Sequence, residues 1–133
     1  MSIELQYLVF AVFLLLLQLV LQVMAGFLTR GFTGVIAGPK DDDEIDDGML
    51  GRVEHAFYNM LETFPIFATL VLAVHVTESF TPLTALAAQI YFWGRVVYLP
   101  VYIMGIPFLR TLIWLIASAG IVLLAWPLLM QVV

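Results

Sequence analysis

The chain predicts an all-α membrane protein, a four-transmembrane-helix up-and-down bundle, and three observations carry that reading. Of its 133 residues 63% are hydrophobic and only 11% charged, and its mean hydropathy is +1.07. Soluble domains lie nearer half apolar and a quarter charged. The apolar residues fall into four stretches separated by polar or Gly- and Pro-containing turns. At about 20 apolar residues per span, such a chain holds about four spans and no separate soluble domain.

The first helix is expected over residues 3–28. It is too long for a cleaved signal peptide and lacks the basic start and small-residue cleavage site of one. A loop over residues 29–50 follows, with Gly31, Gly34, Gly38, Pro39 and the acidic run DDDEIDD. The second helix is expected over residues 51–76, with Pro65 inside it, which membrane helices tolerate when neighbours satisfy the freed carbonyl. ESFTP makes a turn in which Thr81 caps the third helix, residues 83–104, which carries Pro100. GIPF then leads into the fourth helix, residues 109–130.

Cysteine is absent, which excludes disulfides, thiolate metal sites and a cysteine nucleophile, so any thiol chemistry must come from a bound molecule. The formal charge of −5 says little about partners, because six of the ten acids sit in residues 41–47. Nucleic acid is not expected among the partners; membrane lipids are. Arg30, Lys40 and Arg52 lie in or beside the first loop and Arg110 beside the third, while the second loop and both termini have no Lys or Arg. The positive-inside rule therefore puts the first and third loops in the cytoplasm.

Two polar stripes interrupt the apolar helices. Arg52, His55, Asn59 and Glu62 are spaced three, four and three; Tyr91, Arg95, Tyr98 and Tyr102 are spaced four, three and four. Each set shares one helix face. A charge at membrane depth is costly, so such residues face a protein interior or a watery cavity. Two readings stand side by side. Glu62 and Arg95 form a structural ion pair or polar network between the second and third helices, or Asn59, Glu62 and Arg95 bind polar groups of a ligand. Tyr102, near a helix end, also reads as an interfacial tyrosine, whereas Tyr98 lies one turn from Arg95 and has a phenol to donate. Arg110 reads either as a positive-inside anchor or as a fixed cation for an anionic sulfur. His55 has no second ligand at metal spacing, so no metal is expected. The acidic run lacks the glycine and terminal glutamate of a calcium loop and reads as solvated. Gln18 and Gln22, one turn apart, read as interhelical hydrogen-bonding residues.

With those residues in view, RVEHAFYNMLETFPIFA resembles the second-helix signature of the MAPEG family, the membrane-associated proteins of eicosanoid and glutathione metabolism. The match lies at Arg52, Ala56, Asn59, Glu62 and Pro65. GRVVYLPVYIMGIPFLRT resembles the family's third-to-fourth helix signature at Arg95, Tyr98, Tyr102 and Arg110. GPKDDDEIDD is similar to the acidic first loop of bacterial members, and Arg30 to the arginine closing their first helix. The resemblance implies a homotrimer of left-handed four-helix bundles in the bacterial inner membrane, with glutathione, as cosubstrate, in clefts between subunits. It implies that Arg30, Asn59, Glu62, Arg95, Tyr98 and Tyr102 hold the tripeptide, with Arg52 and His55 also among the binding residues. Arg110 would stabilise the thiolate for attack on a lipophilic electrophile or hydroperoxide.

One departure stands out. Enzymatic members commonly carry Arg where His55 stands, and bacterial ones often a further Arg where Tyr58 stands. A neutral His loses a bidentate carboxylate contact worth about 1.5–3 kcal/mol. The leading expectation is a glutathione-dependent transferase or peroxidase; the alternative of another class is a non-catalytic lipid-binding or scaffolding protein. A proton-coupled transporter using Glu62 ranks last.

Overall fold

The computed structural model describes residues 1–37 and 48–133, apart from the side chains of residues 34, 35 and 37. Lys40 and the acidic run at residues 41–47 lie outside the described residues. Four helices follow one another: α1 (Ile3–Ala37), α2 (Met49–Thr77), α3 (Pro82–Met104) and α4 (Pro107–Val132). They alternate in direction. Glu4 meets Thr84 where α1 and α3 begin, Tyr7 meets Trp93 further along α3, and Gln131 reaches Ser79 at the starting end. Arg30 meets Glu54 and Arg52 meets Ile103 at the opposite end.

Three helices are long and apolar enough to cross a membrane: Ile3–Thr33, Met49–Thr77 and Pro107–Val132. The third helix has 23 residues, about 35 Å at 1.5 Å each, which is also a membrane's thickness. It misses on composition alone, because its polar residues lower the mean hydropathy; Thr84, Tyr91, Arg95 and Tyr98 among them are all buried. The outward faces are lined with large apolar side chains such as Phe13, Leu16, Leu72, Leu86, Leu115 and Val122. The chain is an integral membrane protein with the architecture expected of it.

The α3–α4 contact is the most extensive and is built on small residues. A Cβ added at Gly94 would lie 2.9 Å from the Ala117 methyl, and one at Gly120 would lie 2.9 Å from the Ala87 carbonyl oxygen. Between membrane helices this close approach supplies dispersion contact in place of a hydrophobic driving force. Around it Met60, Phe67, Val71, Val74, Tyr91 and Leu124 form the main core.

The helix ends obey local chemistry. Thr81 caps α3 as expected: its hydroxyl accepts from the Thr84 amide at 3.1 Å, while the Thr84 hydroxyl accepts from the Thr81 amide at 2.9 Å. Gly105 ends α3 in the left-handed region, φ 76°, where its amide turns back to the Tyr102 carbonyl. One end differs from expectation. The first helix runs on past residue 28 to Ala37, broken in direction at Gly31, which has φ 73° and ψ 179°. No proline precedes residue 39, and the Thr29 hydroxyl bonds the Ala25 carbonyl, so nothing before Gly31 stops the helix. Arg30 therefore projects from a helix rather than a loop.

Candidate functional site

A cleft lies between α2 and α4 with α3 as its floor. One lobe, about 250 Å³, is lined by Asn59, Tyr98, Tyr102, Arg110, Thr111 and Trp114. A second lobe, about 320 Å³, is lined by Arg52, His55, Tyr102, Gly105, Pro107 and Arg110. Tyr102 and Arg110 belong to both lobes, so these two side chains form the shared wall of one polar cleft.

Helical spacing puts the floor together. Arg95, Tyr98 and Tyr102 follow at three and four residues, so their side chains stack along one face of α3. The Arg95 guanidinium carbon lies 4.0 Å from the Tyr98 ring centre, Tyr98 and Tyr102 are 5.5 Å apart, and Arg110 reaches over Tyr102 at 4.6 Å. The His55 ring sits 6.5 Å from Tyr102. Each cation over an aromatic face gains about 0.5–2 kcal/mol, more where water is excluded. The rings leave guanidinium N–H groups available, whereas a carboxylate partner would neutralise them.

Asn59 fixes the inner end: Arg95 Nη1 donates to Asn59 Oδ1 at 2.9 Å. The expected ion pair of Arg95 with Glu62 is not formed. Glu62 is exposed on the single chain, one turn beyond Asn59, and the shorter amide takes the guanidinium. Arg95 itself is buried and lies behind the cleft wall, touching the residues that line it. Gln18, expected to hydrogen bond between helices, is buried with neither amide atom partnered by protein.

Two stripe residues, Arg52 and Tyr91, and Arg30 of the first helix stand apart from the inner lobe. Arg52 Nε donates to the Ile103 carbonyl at 2.8 Å and packs beneath Gly105, so it ties the start of α2 to the end of α3. Tyr91 is fully buried, stacked on Phe67 at 4.1 Å with its hydroxyl 3.0 Å from Thr63. Arg30 lines neither lobe; it pairs with Glu54 at 3.2 Å, the one ion pair among the described residues.

Sequence reasoning passed over several residues. Trp114 and Thr111 line the inner lobe, and Trp114 stands one turn after Arg110, a spacing that the sequence displays. Glu54 and Glu4 are buried acids inside apolar helices, a signal that the stripes overshadowed. Glu4 accepts from the Thr84 hydroxyl at 2.7 Å, at the positively polarised start of α3.

The arrangement suits an anion with several polar groups. Arg52 and Arg110 line the cleft with His55, two tyrosine hydroxyls and an amide, while Thr111 and Trp114 provide a mixed outer wall. Compared with known proteins, residues 7–130 match the family model of the MAPEG family. No curated protein and no solved structure matches the chain.

Proposed function

The chain belongs to the MAPEG family, and from that premise we propose that it is a glutathione-dependent transferase or peroxidase acting on lipophilic electrophiles or hydroperoxides. The observation that carries the proposal is the shared wall: Arg110 lies over the Tyr102 ring and faces both lobes of one cleft. A tripeptide thiol needs carboxylate and amide partners along its length and a fixed cation at its sulfur. Arg52 and His55 would take a carboxylate, Asn59 and Tyr98 the peptide groups, and Arg110 the sulfur.

The chemistry follows from the charge. A thiol at neutral pH is a poor nucleophile until it loses its proton, and a guanidinium held beside the sulfur favours the thiolate. The thiolate attacks an electrophilic carbon, forming a C–S bond as the leaving group departs with its electron pair. With a hydroperoxide it attacks the terminal oxygen and breaks the O–O bond, giving a sulfenic acid and an alkoxide that leaves as the alcohol after taking a proton; a second thiol then converts the sulfenic acid to a disulfide and water. A membrane setting brings the lipophilic partner from the side, and the polar cleft brings the thiol from the end.

Assembly and siting are part of the proposal. Glu62 is a charge at membrane depth with no hydrogen-bond partner among the described residues of its own chain, which supports burial against a second copy in a homotrimer. Arg30, Arg52 and Arg110 gather at one end of the bundle, which supports cytoplasmic placement of that end in an inner membrane. Native mass spectrometry in detergent should then show three chains.

A second reading has its own observation. An apolar groove of about 260 Å³ between α1 and α2, lined by Val12, Leu15, Leu16, Leu19, Phe57 and Leu61, suits an acyl chain. With His55 where an arginine is common, it favours a non-catalytic lipid-binding protein. The two separate in one assay. Purified protein in detergent is given glutathione with a lipophilic aryl halide or a fatty-acid hydroperoxide. Turnover that Arg110→Ala abolishes supports the enzyme, and its absence in the parent with every electrophile supports the lipid binder.

A further inference from the structure

The face that α1 turns to the bundle is marked by its buried residues, Glu4, Leu8, Ala11, Gln18 and Ala25, spaced as helix packing requires. Gln18 is the anomaly on that face. It is 1% exposed, and both Nε2 and Oε1 lack a partner in the protein. Arg95 on α3 has the complementary anomaly. It too is 1% exposed; Asn59 holds Nη1, and Nε and Nη2 have no partner.

Both residues lie near the middle of their helices. Leu15 and Leu19 of α1 line one groove with Phe57 and Leu61 of α2. Gln18 falls within that stretch of α1 and Asn59 within that stretch of α2, and Asn59 is the residue that meets Arg95. The first and third helices start at the same end of the bundle, so both residues lie inward from that end. Counting from the Glu4–Thr84 contact, Gln18 lies about 21 Å and Arg95 about 16 Å along their helices at 1.5 Å per residue. The donors and acceptors also match: guanidinium nitrogens only donate, while the Gln18 amide offers an oxygen that accepts. Buried polar groups of this kind are satisfied by internal water, which makes about three hydrogen bonds.

We propose that Gln18 and Arg95 hold a buried water between α1 and α3, and that Gln18 is thereby a positioning residue for the cleft. The water accepts from a free guanidinium N–H of Arg95 and donates to Gln18 Oε1. Arg95 lies against Tyr98 and Asn59, which line the inner lobe, so fixing the guanidinium fixes that wall. The hydration layer does not depend on the thiol reading; the effect on ligand does.

Thermal unfolding and glutathione binding of the full chain in detergent test it with two variants. An amide with no partner should be improved by an apolar replacement of similar volume, since its desolvation cost disappears. Under the proposal Gln18→Leu instead strands Arg95, melts at least about 5 °C lower, and binds glutathione about tenfold more weakly, the scale of one lost charge-assisted hydrogen bond. Gln18→Glu restores an acceptor toward the guanidinium, melts at or above the parent, and regains most of the affinity. The layer is overturned if Gln18→Leu melts at or above the parent, or if Gln18→Glu does not fold. The positioning role is overturned if Gln18→Leu melts low yet binds glutathione as the parent does. If the parent takes up no glutathione, the thiol reading fails, and the melting order of the three proteins still decides the layer.

Discussion

Where α1 and α3 begin, Glu4 takes the Thr84 hydroxyl at 2.7 Å and Thr84 closes a capping box with Thr81; at the opposite end, Arg110 rests on the Tyr102 ring at 4.6 Å. Both ends put charge inside an apolar bundle. The first closes its carboxylate with a hydroxyl and a helix start, a short polar chain that ends on backbone. The second rests the Arg110 guanidinium on an aromatic face, which holds it in place and leaves its N–H groups for something else. The difference separates a clasp from a receptor: a charge with protein partners stabilises the fold, and a charge held in place with its donors open is pre-organised for a ligand.

If the ends divide the labour this way, a change at one should leave the other's readout alone. The largest effect is expected at Arg110. Arg110→Ala should unfold at the parent temperature while turnover with glutathione falls about ten- to a thousand-fold, the scale of one preorganised electrostatic contact. Arg110→Lys should recover part of it, since a point charge lacks the guanidinium fork.

The next effect belongs to the small-residue seam that sets the cleft floor against α4. Gly120→Leu drives side-chain atoms into the Ala87 carbonyl, 2.9 Å from where its Cβ would stand. A loss of about 3 kcal/mol of stability is expected, or no folded protein, because overpacking against backbone has nowhere to relax. Denaturation in mixed micelles measures it.

At the clasp, Glu4→Ala removes the link between α1 and α3 and leaves the Thr84 hydroxyl to the Thr81 carbonyl, which should cost about 0.5–1.5 kcal/mol in the same experiment, with turnover per folded protein unchanged. The last effect is at the ring beneath Arg110. Tyr102→Leu removes the aromatic face, and glutathione affinity should fall about two- to thirtyfold, the worth of one cation–π contact. A Glu4 variant that lost activity without losing stability would erase the division between the two ends.

The sequence made the second end legible and most of the first invisible. Tyr98, Tyr102, Asn59 and Arg110 meet in one lobe because helical spacing alone stacks the first two, and a four-helix bundle brings the others alongside. The pairing of Glu62 with Arg95 failed for a physical reason. Periodicity fixes which residues share a face, but not how that face is rotated toward a neighbour, and one turn separates Asn59 from Glu62. Arg30 was placed by an assumed helix end, and the helix runs on through it to the Gly31 break. Glu4 looks in the sequence like an ordinary first-helix residue, since its partner Thr84 lies across the bundle and leaves no local pattern.

Ultraviolet difference absorbance on adding glutathione to the purified protein tests the central claim, that the arginine- and tyrosine-lined cleft holds the cosubstrate as a thiolate. The parent should develop the thiolate band at neutral pH and saturate, and Arg110→Ala should bind the tripeptide with the band lost. No band in the parent at saturating glutathione, or an equal band in Arg110→Ala, would contradict the account.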